Sequence, residues 1–578
     1  MSKKFFGLFC FVVFFFFLTP PLHAQSVPSG QDIGAQSSRF TQEVEKNRKQ
    51  FEGKKVSSPK VETKEEEQPA TPSASFILTD IKITGLPAGQ AGMTVFKPEN
   101  FKSVYQAYLG KSVSLKEIQA IANQIKIQYK RKGYLTSLVT IPQQDVKDGV
   151  VEIKVIEGRM GELKVEGNKW FSSDLIKKYF HLKKDEIFDV QKLEKDILRI
   201  NKLLDFSAKS VLSPGKDAQT SDVTLKVEDH DPFHVGVNFD NHGTRLVGRE
   251  QQTVTLRSSN LTGHGDSVYG SFLFGRREEA QSVTYVRPID TYGTKVGLSV
   301  SHFTLRVGKE YRDFDMTGET KTITPFLTKE LYLSEDFDAE LNLGMDIKSI
   351  RRHTLGQQSS DDQLRIPYLG FDFTKNDSMG QTTVSPRFDY GASDFLGASS
   401  KGHPSAGRAG TGGIFEKYEL AITRIQKMIL DSYAIIRSAF QFSPFSLSSS
   451  EQMQIGGVNS VRGYPEGDYT ADKGCIINFD WIFPMYLFPD SWKLPHAEQN
   501  LKHQIEPVFF VDWARGTLNT PLAGEHRSQI LTGIGGGLKI SIIKHVSAKV
   551  EWAKAVGYDK PISGSGPSTF YFSVQSEF

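Results

Sequence analysis

From Pro232 to Phe578 the chain shows no helical periodicity, and short alternating segments follow one another between clusters of Gly, Asp, Asn and Ser. In Gln252–Arg257, Val254 and Leu256 alternate with Thr253, Thr255 and Arg257; in Lys295–Ser301, Val296, Leu298 and Val300 alternate with Gly297, Ser299 and Ser301. Ile477, Phe479, Trp481 and Phe483 share one face of a segment whose other face carries Asn478 and Asp480. At the end of the chain Phe570, Phe572, Val574 and Phe578 oppose Tyr571, Ser573, Gln575 and Glu577. About sixteen such segments can be counted, an even number as in bacterial outer-membrane barrels. They start near residues 233, 250, 266, 281, 294, 322, 337, 363, 381, 415, 431, 475, 504, 529, 545 and 568. Half-buried strands of a soluble sandwich alternate in the same way. Segment length, an aromatic last strand and the start of the chain favour a barrel in lipid, where closure satisfies every backbone group. A barrel this wide cannot fill its interior with strand side chains, so it encloses an aqueous path.

The start of the chain points to export. Lys3 and Lys4 precede the apolar run Phe5–Leu18, and Leu22-His23-Ala24 supplies a small-residue end, the pattern of a signal peptide over 1–24. Fourteen residues are too few to cross a bilayer as a helix, and a polar stretch begins at Gln25. Of two cysteines, Cys10 falls in that peptide and Cys475 remains alone, so no intrachain disulfide is expected. A formal charge of +3 asks for no nucleic-acid partner. No HExxH, GxSxG, CxxC or P-loop pattern occurs, so no catalytic residue, metal site or cofactor is expected.

Between these ends the chain divides further. Residues 25–53 are polar, and Ser38 to Glu52 predicts a helix closed by Gly53, with Glu45 spaced to pair with Lys49 and Arg48 with Glu52. Its large apolar residues are Phe40, Val44 and Phe51, a stripe too narrow for a core and suited to a water-filled lumen. Residues 54–74, with Pro59, Pro69 and Pro72 among mixed charges, read as a flexible linker. Two compact units follow, 75–157 and 158–231. The first reads as strands Phe76–Thr84, Tyr134–Ile141 and Val150–Ile156 with helices Glu99–Tyr108 and Ser114–Lys132. The second repeats that order: strand Gly161–Glu166, helices Ser172–Phe180 and Val190–Leu204, strands Ala208–Leu212 and Asp222–Val227. A three-stranded sheet in each leaves an edge open.

With these parts in order, SVRGYPEGDY (460–469), FFVDWARG (509–516), NLTGHGDS (260–267) and the terminal Phe578 carry a resemblance. The chain resembles the two-partner secretion transporters (TpsB proteins), relatives of haemolysin and filamentous-haemagglutinin exporters. The resemblance spans the mature chain. It implies a mainly β membrane protein: a 16-stranded transmembrane antiparallel barrel over 232–578, behind two α+β (β-α-α-β-β) POTRA domains and an N-terminal helix. It implies localisation in the bacterial outer membrane with the POTRA domains in the periplasm, and export of a secreted exoprotein without a chemical step. Outer-membrane lipids would surround the barrel, and barrel-assembly machinery would read the last strand, with Phe578 as assembly signal. The helix bearing Phe40, Val44 and Phe51 would plug the lumen. A barrel-assembly insertase and a passive porin are the alternatives.

The resemblance also gives the VRGY stretch a role. The loop carrying Val461, Arg462, Gly463 and Tyr464 would fold into the barrel, and Arg462 would pair with Asp512 on the next strand. Alternation in Glu506–Trp513 puts Phe509, Val511 and Trp513 on one face with Phe510 and Asp512 on the other. With Trp513 toward lipid, Asp512 points inward, where an unpaired carboxylate is costly and a planar guanidinium is a good partner. Tyr464 is expected against the inner wall and Cys475 within strand twelve.

Overall fold

The computed structural model describes residues 32–52, 75–85, 93–493, 499–543, 545–562 and 566–578. The expected signal peptide and linker lie outside the described residues.

Sixteen strands close into one antiparallel barrel, each paired with its sequence neighbours and the last with the first. They are β1 Phe233–Asp240, β2 Gln251–Ser258, β3 Ser267–Gly275, β4 Glu278–Pro288, β5 Thr294–Arg306, β6 Thr317–Leu333, β7 Phe337–Thr354 and β8 Gln357–Asp377. The second half comprises β9 Gly380–Gly391, β10 Phe415–Lys427, β11 Tyr433–Phe442, β12 Lys473–Ile482, β13 Ile505–Thr517, β14 Ser528–Ile543, β15 Val546–Ala555 and β16 Ser568–Glu577. Closure leaves no unpaired edge, the condition for crossing lipid with strands. The seam is short, with register from Ser573 opposite Asp240 to Glu577 opposite Gly236. Phe578 extends it, since its N–H donates to the Val235 carbonyl at 2.8 Å and its carbonyl accepts from the Val235 N–H at 3.0 Å.

The alternation sorts as the pleat requires. Val235, Val237 and Phe239 of β1, Val296, Leu298 and Val300 of β5, and Phe509 and Val511 of β13 face outward and are exposed, as a lipid-facing belt must be. Ser282 and Thr284 of β4, Asn478 and Asp480 of β12, and Phe510 and Asp512 of β13 are buried inward. Cys475 lies on β12 and is a free thiol.

The two small units each pack helices on a three-stranded sheet. In the first, strand Val150–Ile156 lies between Asp80–Thr84, parallel to it, and Leu138–Thr140, antiparallel. The expected strand Phe76–Thr84 is broken: Phe76–Ile77 leaves the sheet to pair with Ser112–Val113. The expected strand Tyr134–Ile141 shrinks to Leu138–Thr140, because Tyr134 is drawn into the turn after the helix by its N–H bond to the Tyr129 carbonyl. Helix Leu115–Arg131 starts at a capping box of Ser114 and Glu117 and buries Ile118, Ile121, Ile125 and Tyr129. In the second unit Thr220–Asp229 lies between Arg159–Glu166 and Phe206–Pro214, and helix Val190–Ile200 covers the sheet with Leu193, Ile197 and Ile200.

The second unit also touches the barrel. Arg199 Nε and Lys202 Nζ reach the buried Glu330 on β6 at 3.0 and 3.3 Å, and Lys202 reaches Asp338 on β7 at 2.8 Å. His181 Nε2 lies 2.8 Å from the Thr291 hydroxyl in the β4–β5 connection. β1 leaves this unit, so connections after even-numbered strands return to its side of the barrel.

Candidate functional site

Among the described residues, helix α1 (Ile33–Glu52) and the loop 443–472 between β11 and β12 lie inside the barrel. α1 starts at Ile33 rather than Ser38: Asp32 accepts from the Gly34 N–H at 2.7 Å, a cap hidden by the glycine that follows. At 1.5 Å per residue it is about 30 Å long, the thickness of a bilayer's hydrocarbon core. Its apolar side packs on the barrel wall. Ile33, Phe40 and Val44 are buried with Phe303, Ile350 and Phe415, and the Phe40 and Phe303 rings lie 6.2 Å apart. The side chain of Phe51 lies outside the described residues.

Polar contacts moor the helix along its length. Arg352 of β7 grips Asp32 with Nη2 at 2.6 Å and Nε at 3.0 Å, while the Ser449 hydroxyl donates to Asp32 at 2.8 Å. Arg39 donates to the His242 carbonyl at 2.6 Å and pairs with Glu466 of the loop at 3.2 Å. Near the other end Lys49 pairs with Asp372 of β8 at 2.9 Å. The spacing of charges predicts pairs within the helix, Glu45 with Lys49 and Arg48 with Glu52. Lys49 instead takes the carboxylate that the barrel wall offers, and Glu45 pairs with Arg48 at 2.6 Å; the expected Arg48–Glu52 pair lies outside the described residues.

The loop folds inward on a two-stranded stem, Met453–Ile455 against Tyr469–Ala471. The tip between them carries Val461, Arg462, Gly463 and Tyr464, and Val461 and Tyr464 are buried in a cluster with Ala514 and Leu531 of the wall. Two glycines allow the close approach. A Cβ on Gly463, which has φ of +94°, would lie 2.6 Å from the Ala555 nitrogen on β15. One on Gly533 of β14 would lie 2.0 Å from the Arg462 carbonyl oxygen. The Gly463 N–H donates to the Tyr571 hydroxyl at 3.2 Å, and the Tyr464 hydroxyl donates to the Asp559 carbonyl at 2.8 Å.

Arg462 is 2% exposed and Asp512 fully enclosed, and the guanidinium grips that carboxylate at two points: Nε to Oδ2 at 2.7 Å and Nη2 to Oδ1 at 2.8 Å. The Arg462 main-chain N–H adds a third bond at 3.0 Å. The resemblance implies this pair and alternation on β13 turns Asp512 inward, but the site is larger. Nη2 also donates to Asp480 Oδ1 at 2.5 Å and Nη1 to Glu551 Oε1 at 3.0 Å, and the guanidinium lies 3.5 Å from the Phe510 ring centroid. Asn478 donates to Asp512 Oδ1 at 2.8 Å. Arg437 pairs with the other oxygen of Asp480, and Lys549 with Glu551 at 2.9 Å. Three carboxylates thus meet three cations, one of which belongs to the loop. The inward positions of Asp480 and Glu551 follow from alternation on β12 and β15, which is the signal that could have found them.

A second anchor has no sequence signal. Glu451, inside the polar run Ser448–Gln452, is buried between Lys348 of β7 at 2.7 Å and Lys417 of β10 at 3.0 Å. Lys417 also faces Glu419 at 3.3 Å and Asp389 at 3.7 Å, and Arg387 bridges Asp389 at 2.6 Å and Asp346 at 3.0 Å. The loop is therefore fastened by a cation to the β11–β15 wall and by an anion to the β7–β10 wall. Among the described residues no group of His, Cys, Asp and Glu is arranged to hold a metal ion.

The fold has known counterparts. The family profile of the haemolysin secretion/activation proteins ShlB/FhaC/HecB matches residues 219–540. A ShlB-type POTRA domain profile matches 88–158, and a POTRA profile described as a surface antigen variable number repeat matches 159–228. The heme/hemopexin transporter protein HuxB of Haemophilus influenzae is 24% identical, over 82% of this chain and 83% of its own length. The outer membrane transporter CdiB of Dickeya dadantii is 25% identical, over 67% of this chain and 69% of its own. Among solved structures, CdiB from Escherichia coli shares the fold with a TM-score of 0.72 at 21% identity, over 96% of this chain and 100% of that one.

Proposed function

The chain belongs to the family of haemolysin secretion/activation proteins ShlB/FhaC/HecB, and from that membership we propose how its parts divide the work of secretion. The protein is an outer-membrane transporter of two-partner secretion, with POTRA domains in the periplasm and an exoprotein as its partner. We take the signal peptide as 1–24, the N-terminal segment as 25–53, the linker as 54–74, the POTRA domains as 75–157 and 158–231, and the barrel as 232–578.

The POTRA domains receive the unfolded exoprotein first. Strand addition at a sheet edge suits that task, since it reads extended backbone and tolerates varied side chains. The lumen is then the conduit, with α1 as its plug and the loop bearing Val461, Arg462, Gly463 and Tyr464 as a latch on Phe510 and Asp512. One observation carries this reading: the lumen holds two elements fastened by different means. The loop tip is held by fully enclosed charge, while the pairs that moor α1 are less enclosed, from Arg39–Glu466 with side chains 17% and 7% exposed to Lys49–Asp372 with 46% and 23%. An element that must leave during transport needs contacts that water can replace, and exposed pairs are worth little. An element that sets the shape of the conduit needs contacts that water cannot replace. Phe578, paired to β1 at the seam, is the residue we assign to recognition by barrel-assembly machinery.

Deleting the gene should remove one large exoprotein from the surface or medium. Loss of many outer-membrane barrels would favour an insertase instead, and altered small-solute uptake with secretion intact would favour a porin. Deleting residues 33–52 should raise ion conductance across planar bilayers. Unchanged conductance would remove the plug from this reading.

A further inference from the structure

Connections on the POTRA side of the barrel include short polar turns such as Ser-Glu-Asp at 334–336, as expected for an outer-membrane barrel. Two neighbouring ones differ. Between β10 and β11, residues 428–432 read Met-Ile-Leu-Asp-Ser. Between β12 and β13 the chain runs from 483 to 504, and it opens with Phe-Pro-Met-Tyr-Leu-Phe-Pro, which carries no charge. Ile429, Leu430 and Leu487 are 71%, 73% and 86% exposed. Leu430 and Asp431 have φ of +56° and +52°, a mirror-image hairpin tip that favours Asn-Gly. Backbone geometry therefore does not explain the leucine, and its side chain must.

The two connections form one surface. The Tyr486 hydroxyl donates to the Leu430 carbonyl, and Trp481 Nε1 donates to the Ser432 hydroxyl at 3.1 Å. That surface continues the outer wall of the barrel: the Trp481 ring lies 5.9 Å from Phe483, which stacks on Phe509 at 5.5 Å. Trp481 and Phe509 are exposed on the outward face that the lipid belt covers. Farther along, Trp492 packs on Phe488 at 5.9 Å and remains half exposed, and Lys502 Nζ lies 5.2 Å from the Tyr486 ring centroid. Aromatic rings with a polar end, next to a lysine, suit the depth of lipid headgroups.

We propose that the apolar tips of the connections 428–432 and 483–493 insert into the periplasmic leaflet of the outer membrane, with phospholipid as their partner. The surface has no boundary with the barrel's lipid belt, so lipid that covers Phe509 and Trp481 reaches Leu430 and Leu487 without a gap. A protein partner would have to displace that lipid. The sector anchored in this way is β11–β13, which contributes Asp480 and Asp512 to the grip on Arg462. Insertion would hold that wall still while other parts of the lumen rearrange.

The mature chain from Gln25, in a Cys475→Ser background and reconstituted into phosphatidylethanolamine/phosphatidylglycerol vesicles, tests this. An environment-sensitive fluorophore on Leu430→Cys or Leu487→Cys should emit blue-shifted light. It should be quenched severalfold more by nitroxide-labelled acyl chains than the same probe on Asp336→Cys, and less by aqueous iodide. If either labelled variant fails to insert, brominated phospholipid should quench native tryptophan, and Trp492→Phe should remove part of that quenching. Iodide access at 430 and 487 equal to that at 336, or no change in bromine quenching with Trp492→Phe, would overturn the proposal. So would protection that grows with the protein-to-lipid ratio, which would mark a second copy as the occupant.

Discussion

The two ends of the inward loop are fastened by opposite charges, and the walls that receive them differ in what they need. At the β11–β15 wall, Asp512, Asp480 and Glu551 face Arg437, Lys549 and the loop's Arg462. Without Arg462 that wall holds one carboxylate too many. At the β7–β10 wall, Lys348, Lys417 and Arg387 already face Asp346, Asp389 and Glu419, and the loop's Glu451 comes as a fourth acid. Without Glu451 that wall is balanced. Burying a charge is tolerable only where it is paired, so the first wall depends on the loop and the second merely accepts it. The Arg462 end is thus the structural latch, and the Glu451 end positions the rest of the loop.

The largest expected effect follows. Arg462→Ala leaves an enclosed net negative charge, which must take up a proton or admit water, and removing one partner of a buried pair costs roughly 3–5 kcal/mol. The variant should insert in the membrane but secrete poorly, and amides 456–468 should exchange faster with solvent. Exchange at the wild-type rate would break the comparison at its stronger end. Asp512→Ala should act similarly. In a double-mutant cycle the two should cost less together than the sum of the singles, since each removes the same contact.

Charge balance can be separated from lost contacts by adding Glu551→Gln to Arg462→Ala. Asp512 and Asp480 would then face Arg437 and Lys549 alone, two against two. The double variant should recover part of the secretion and amide protection that Arg462→Ala loses, although it has lost one more charged group. If the second substitution deepens the defect, the wall is held by individual bonds and its net charge is irrelevant.

What the sequence discloses of this site depends on strand alternation. Asp512 can be placed inside because Phe509, Val511 and Trp513 occupy the other face of β13, and β12 sets Asn478 and Asp480 inward by the same rule. Fourteen of the sixteen strands begin within three residues of their expected positions, because alternation and turn residues are local signals; β6 and β8 begin five and six residues earlier than expected. The second wall could not be read, since which strand faces a loop across a wide lumen depends on closure, and a glutamate in Ser448–Gln452 looks like any solvated loop residue. The start of α1 was hidden for another reason. Ile33-Gly34 breaks helical propensity, and what compensates is Arg352, more than three hundred residues away in sequence, gripping the capping Asp32. Similarly, Lys49 was expected to pair within its own helix, but the tertiary partner Asp372 takes precedence over a local spacing worth only a few tenths of a kcal/mol.

Glu451→Gln tests the weaker end and should have the smallest effect. The amide keeps the shape of the side chain and can still accept from one lysine. Lys417 retains Glu419 at 3.3 Å and Asp389 at 3.7 Å, and Lys348 retains Asp346 at 4.0 Å. No cation is stranded, so the loss should be about 1.5–3 kcal/mol, close to one hydrogen bond to a charged group. Secretion should stay near wild type, with faster amide exchange confined to the stem near 450–455. If Glu451→Gln instead abolishes secretion as Arg462→Ala does, charge balance is not what distinguishes the two walls. The loop would then work as a strut that fails when either end is cut.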